Sequence, residues 1–110
     1  MNHLTAKLAQ LTDELFVATQ RNKLPWKPGA ADQSFSTEIG DMRVNLEKDV
    51  GSDGLPAVAV LLCNREGRLV QRYTDQELSD HIPESDDHRS FWELLTELHE
   101  MARWSAEGVF

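Results

Sequence analysis

The sequence lacks the features of disulfide-bonded, membrane-spanning and secreted proteins. Its 110 residues contain a single cysteine, Cys63, which excludes an internal disulfide. No apolar run approaches the roughly 20 residues of a membrane span. The N-terminal segment MNHLTAKLAQLTDEL lacks the continuous apolar core of a signal peptide. These absences predict a cytoplasmic protein with no membrane contact.

Basic residues are also scarce. Lys and Arg number 11 against 19 Asp and Glu, which gives a formal net charge of −8 at pH 7. A surface that binds phosphates needs basic side chains gathered on one face, and the sequence contains no basic run. We therefore expect no nucleic-acid binding. An acidic domain is better suited to stay soluble by self-repulsion or to dock onto a basic protein partner.

Catalytic and cofactor motifs are missing as well. The glycines form neither a phosphate-binding loop nor a dinucleotide fingerprint, and no serine lies in a nucleophile elbow. The run from His99 to Arg103 falls one residue short of the HExxH zinc helix, because arginine stands where the second histidine would bind. Cys63 lies in an apolar strand, where a free cysteine behaves as a small hydrophobe. We expect no cofactor, no catalytic residue and no metal ligand, and an enzyme is disfavoured.

An acidic connector, residues 75–88, holds the densest set of oxygen ligands in the chain. Carboxylates in a loop can bind Ca²⁺ or Mg²⁺, but the spacing of an EF-hand is absent. The simpler interpretation is a solvated linker, with a helical turn allowed near Gln76 to Ser79, whose acidic groups complement the start of the next helix. The potential ligands are Asp75, Glu77, Asp80, His81, Glu84, Asp86, Asp87 and His88.

Hydrophobic spacing predicts one helix at each end of the chain. Apolar residues that recur every three or four positions predict a first helix over about Thr5–Arg21. A second such stripe predicts a last helix that begins near Ser85 or Asp86 and ends at Gly108. The first stripe contains Leu4, Leu8, Leu11, Leu15 and Ala18, and the second contains Phe91, Leu94, Leu95, Leu98, Ala102 and Ser105 or Ala106.

Between these helices, alternation of apolar and polar residues predicts strands. The segment Ala57–Cys63 is apolar at every position, which is typical of an inner strand shielded on both faces. The predicted fold is one α+β domain, residues 1–110, of order α-β-β-β-β-α: a four-stranded antiparallel meander with both helices packed on one face. Its strands are Ser34–Ile39, Met42–Glu47, Ala57–Cys63 and the half-exposed edge strand Leu69–Tyr73.

Two surfaces are candidates for a protein partner. Aromatic and methionine side chains outside the central stripe of the last helix are typical of interfaces, although they could instead wrap the edge of the core. Arginines that alternate with apolar neighbours should point away from the helices, where solubility and protection of sheet edges is the simpler role. The helix surface contains Trp92, Met101, Trp104, Val109 and Phe110, and the sheet surface contains Arg43, Arg68 and Arg72.

Four segments carry a resemblance to a known family. The sequence LTDELFVATQRNKLPW is a helix with a Lys-Leu-x-Trp exit, and FSTEIGDMRVNL is a short hairpin. They are followed by AVAVLLCNREGRLV and by the final helix FWELLTELHEMARWSA. In this order the segments resemble a family of small uncharacterised bacterial α+β domains, which implies the fold but no activity or site residue. The chain departs from the family in a longer 48–56 loop and a longer acidic connector.

The leading hypothesis for function is a small acidic protein-interaction module with a regulatory, adaptor or immunity-like role. Self-association through the last helix or a sheet edge is one form of it. The alternative is a small-molecule-binding protein or minor enzyme with a pocket between the helices and the sheet. Trp26, Trp92 and Tyr73 would line that pocket, with Arg72 or His99 supplying polarity; for Trp26, a place in the core is the competing interpretation.

Overall fold

Three helices and a five-stranded sheet make up the described part of the chain. The computed structural model describes residues 3–21, 23–29, 33–50, 54–81 and 91–108. The helices are α1 (His3–Gln20), α2 (Asp75–His81) and α3 (Phe91–Ala106). The strands are β1 (Lys27–Pro28), β2 (Ser34–Ile39), β3 (Met42–Val50), β4 (Pro56–Cys63) and β5 (Leu69–Thr74).

The sheet is an antiparallel meander in which neighbours in sequence are neighbours in space, in the order β1-β2-β3-β4-β5. The predicted α+β class and antiparallel sheet are confirmed, but the prediction of four strands in the order α-β-β-β-β-α is wrong. The additional strand β1 has two residues, and it pairs Lys27 with Ser36 and Pro28 with Phe35. A segment this short has no alternating pattern, and its proline cannot donate a ladder hydrogen bond.

The start of the acidic connector is a helix, and its N-terminus has a sequence signature. Thr74 precedes α2, and its hydroxyl accepts a hydrogen bond from the Glu77 N–H at 3.3 Å. Threonine followed three positions later by glutamate is the pattern of a capping box. Helix α2 has seven residues, so it is longer than the helical turn predicted near Gln76 to Ser79.

The buried side of the sheet and the helices share one hydrophobic core. Three pairs of residues that stand opposite one another on neighbouring strands belong to this core: Phe35 and Leu46, Val44 and Leu62, and Val60 and Tyr73. Helix α1 packs against α3 and α2, and α3 packs against β1, β2 and β4. The buried helical members are Leu8 and Leu15 of α1, Leu78 of α2, and Leu95, Leu98, Met101 and Ala102 of α3. No described helix is long and apolar enough to span a membrane.

Several predicted boundaries move or lie outside the description. Strand β3 continues to Val50, three residues beyond the predicted end, because it stays paired with β4 as far as Pro56. The helix cap predicted at Ser85 or Asp86 lies outside the described residues, as does the rest of the connector after His81. Helix α3 is described from Phe91 onward.

Candidate functional site

The face of the sheet opposite the helices carries most of the polar strand residues. The register places Ser36, Asn45 and Leu61 opposite one another across β2, β3 and β4, on the side away from the core. Arg43 stands opposite Cys63 on this face, and Arg72 stands opposite Leu61. The open face therefore combines a polar half on β2 and β3 with an apolar half on β4.

The arginines predicted for this face are held by ion pairs or by the hairpin turn. The Arg43 guanidinium lies 3.6 Å from the Glu38 carboxylate. Arg72 of β5 forms an ion pair with Asp49 of β3, two strands away. This second pair crosses β4 near the small side chains of Ala57 and Ala59, both of which are buried. Arg68 precedes β5 in the hairpin turn, where its N–H donates to Asn64 Oδ1 at 2.9 Å.

A groove of about 340 Å³ runs over the polar half of the open face, lined in part by Ser36, Arg43, Asn45, Glu47 and Cys63. The Cys63 thiol is half-buried, and the Asn45 side-chain amide lies 3.8 Å from its sulfur. Its lining contains one cation, Arg43, and one anion, Glu47, so the groove offers no concentrated charge for an ion. Among the described residues no group of three or more His, Cys, Asp or Glu side chains could hold a metal ion.

The two edges of the sheet differ in how they are protected. At the β1 edge, Lys27 and Pro28 present a charge and a residue without an N–H, which are common defences against strand addition. At the β5 edge, Leu69 and Val70 are 55% and 62% exposed. Val70 is the additional residue of a β-bulge, because Gln71 pairs with Leu62 whereas Leu69 pairs with Cys63. The bulge therefore leaves an apolar side chain outside the ladder at this edge.

The predicted surface on the last helix is only partly exposed. Trp92 and Trp104 are 40% and 39% exposed, whereas Met101 is 7% exposed and belongs to the core. At 100° per residue the two tryptophans lie on opposite flanks of the buried stripe, so they do not form one patch. Val109 and Phe110, the other predicted members, lie outside the described residues.

The residues predicted to line a pocket between helices and sheet instead fill the core. Trp26 is buried, its indole N–H donates to Thr19 Oγ1 at 3.0 Å, and its backbone N–H donates to Ser105 Oγ at 3.1 Å. Tyr73 is buried, and its hydroxyl lies 2.8 Å from Thr12 Oγ1. Burial raises the pKa of Tyr73 to about 12. Both aromatic side chains therefore belong to the hydrophobic core.

His99 is buried beside the start of β2. Its Nε2 lies 2.7 Å from the carbonyl oxygen of Gln33, so Nε2 carries the proton and donates it. Its ring meets Phe35 edge-on, at 5.1 Å between ring centroids, and its Nδ1 is buried without a hydrogen-bond partner in the described structure. Burial lowers the pKa of His99; Lys48 and Arg103 lower it further, while the Gln33 carbonyl and Glu100 raise it.

A concave patch on the outer face of α1 was not anticipated from the sequence. It measures about 360 Å³, is lined mainly by apolar surface, and has Val17, 41% exposed, at its middle. Acidic side chains stand at one end and basic side chains at the other. The lining residues are Asp13, Glu14, Val17, Ala18, Arg21 and Lys23. The spacing of Asp13, Val17 and Arg21, four residues apart each time, is the sequence signal that could have revealed it.

Comparisons with protein-family models, with curated proteins and with solved structures returned no match to this chain. The resemblance to small bacterial α+β domains therefore stays a prediction.

Proposed function

We propose that the protein is a small acidic protein-interaction module with a regulatory, adaptor or immunity-like role. The observation that carries the proposal is the β5 edge, where Leu69 and Val70 stay exposed on a strand whose outer side has no partner strand in the described structure. Exposed edges pair readily with strands of other chains, and exposed apolar side chains at such an edge favour that contact.

Charge supports a protein partner at this edge. The hairpin and strand from Asn64 to Thr74 contain three arginines and one acidic residue, in a chain whose net charge is −8. Arg65 and Arg72 are paired with Asp41 and Asp49, while Arg68 has no ion pair in the described structure. Arg68 therefore places one cation without an ion pair next to Leu69 and Val70, which suits an extended segment that carries apolar residues and a nearby acidic one.

A matched pair of substitutions tests the proposal. Val70→Lys places a charge on the exposed edge strand β5, whereas Val50→Lys changes a valine of similar exposure, 66%, at the end of β3, where it pairs with Pro56 of β4. We expect proteins captured from the native cell lysate by the wild-type chain to be lost with Val70→Lys and kept with Val50→Lys. Equal capture by both variants, or no specific capture by the wild type, would contradict the proposal.

A further inference from the structure

We propose that the outer face of α1 is a self-association surface, on which a second copy of the chain docks with its α1 antiparallel. This inference goes beyond the proposed interaction function, because it concerns a different surface from the β5 edge. The helix face concerned is opposite the buried stripe of α1, so its side chains are not needed for the core.

The charge pattern of this face is self-complementary. Asp13 and Arg21 each lie four residues from Val17, about 6 Å along the helix axis in opposite directions. A twofold axis at Val17 therefore places Asp13 of each copy opposite Arg21 of the other. Such a contact is isologous, because the same residues of both copies meet in reciprocal pairs.

Within the part of one chain that the structure describes, these charges have no ion-pair partner. In the described structure neither the Asp13 carboxylate nor the Arg21 guanidinium forms an ion pair, whereas four other arginines do. At the acidic end Glu14 interacts with Gln10, and at the basic end Lys23 adds a second cation. A partner helix of one charge sign would leave one end of the patch facing like charge, so an antiparallel copy fits better than a purely acidic or basic segment.

The middle of the patch allows close approach of two helices. Val17 and Ala18 form its floor, and small side chains at a crossing point permit the usual separation of packed helices, about 8 to 10 Å. One pair of helix faces is a small interface, so we expect a weak, concentration-dependent dimer rather than an obligate one.

Charge reversal tests this arrangement in the full chain. Sedimentation velocity over a range of concentrations should show dimer formation by the wild type. Asp13→Lys and Arg21→Glu should each weaken it by about tenfold, because two exposed ion pairs per dimer become like-charge contacts. The double variant Asp13→Lys/Arg21→Glu should restore it, since reversing both charges recreates the reciprocal pairs.

The control and the contrary outcomes are equally specific. Asp41→Lys reverses an exposed carboxylate on the β2–β3 turn and should leave the dimer unchanged. A strict monomer at all concentrations, or a double variant as weak as the single ones, overturns the proposal. Capture that depends on Val70 would still be observed with a monomer, so failure of this inference is distinguishable from failure of the proposed function.

Discussion

Replacing Tyr73 with phenylalanine should remove a large part of the protein's sensitivity to alkaline pH. Tyr73 is buried on β5, and its hydroxyl donates to Thr12 Oγ1, because the Thr12 hydroxyl itself donates to the Leu8 carbonyl at 2.8 Å. Ionisation of Tyr73 would place a negative charge in the core. Burial therefore raises its pKa from 10.0 to about 12.

The sign and size of the effect follow from the two pKa values. Below pH 10 the tyrosine is neutral in both the folded and the unfolded chain, so its full contribution to stability is present. Between pH 10 and 12 the unfolded chain loses the proton first, which favours unfolding. A difference of two pKa units corresponds to about 2.7 kcal/mol lost by the upper end of this range.

Two measurements check this reasoning. Tyr73 is the one tyrosine of the chain, so absorbance of the tyrosinate reports its ionisation directly. Urea unfolding as a function of pH should show a steeper loss of stability between pH 10 and 12 in the wild type than in Tyr73→Phe. At neutral pH the variant should be about 1 kcal/mol less stable, because Thr12 Oγ1 loses its donor.

The prediction can fail in two ways. Tyrosinate formation near pH 10 in the folded protein would show that the hydroxyl is accessible and not held in the core. Parallel pH dependence of the wild type and Tyr73→Phe would show that ionisation of this group is not linked to folding.

The stability of the fold at acidic pH and the N-terminal cap of α2 offer two further tests. His99 has a pKa lowered below 6.5, so its neutral form stabilises the fold above that pH and stability falls as pH decreases below it. His99→Gln should remove at most about 1.4 kcal/mol per pH unit of this slope in urea unfolding, and an unchanged slope would contradict the assignment. Thr74→Ala should cost about 1 kcal/mol by removing the cap on Glu77, whereas Thr74→Ser should retain most of it in the same assay; equal losses would contradict capping.

The main strands were predictable because their hydrophobic patterns reflect the faces they occupy. The alternation in Ser34–Ile39 and in Met42–Glu47 matches a sheet with one buried face, and the apolar run of β4 matches an inner strand. Strand β1 was missed because two residues cannot show a period. Helix α2 was underestimated because the capping box from Thr74 to Glu77 lay within a segment interpreted as a polar linker.

The candidate surfaces were harder to predict than the fold. Burial of a helix residue outside the central stripe depends on neighbouring elements, and Met101 is covered while Trp92 and Trp104 are not. Exposure of Val70 results from a bulge, and bulges depend on how two strands align rather than on one strand's pattern.

The first turn of α2 completes the hydrogen bonding of a strand. Strand β5 ends at Thr74, one residue before it would pair with Val58, and the Asp75 side chain takes the place of the missing carbonyl by accepting the Val58 N–H at 2.9 Å. Asp75 is buried there. Local opening of α2 would therefore remove the hydrogen-bond acceptor of the Val58 N–H on the inner strand β4. Unwinding of the first turn of α2 would therefore perturb the hydrogen bonding of β4, which couples the helix to the sheet.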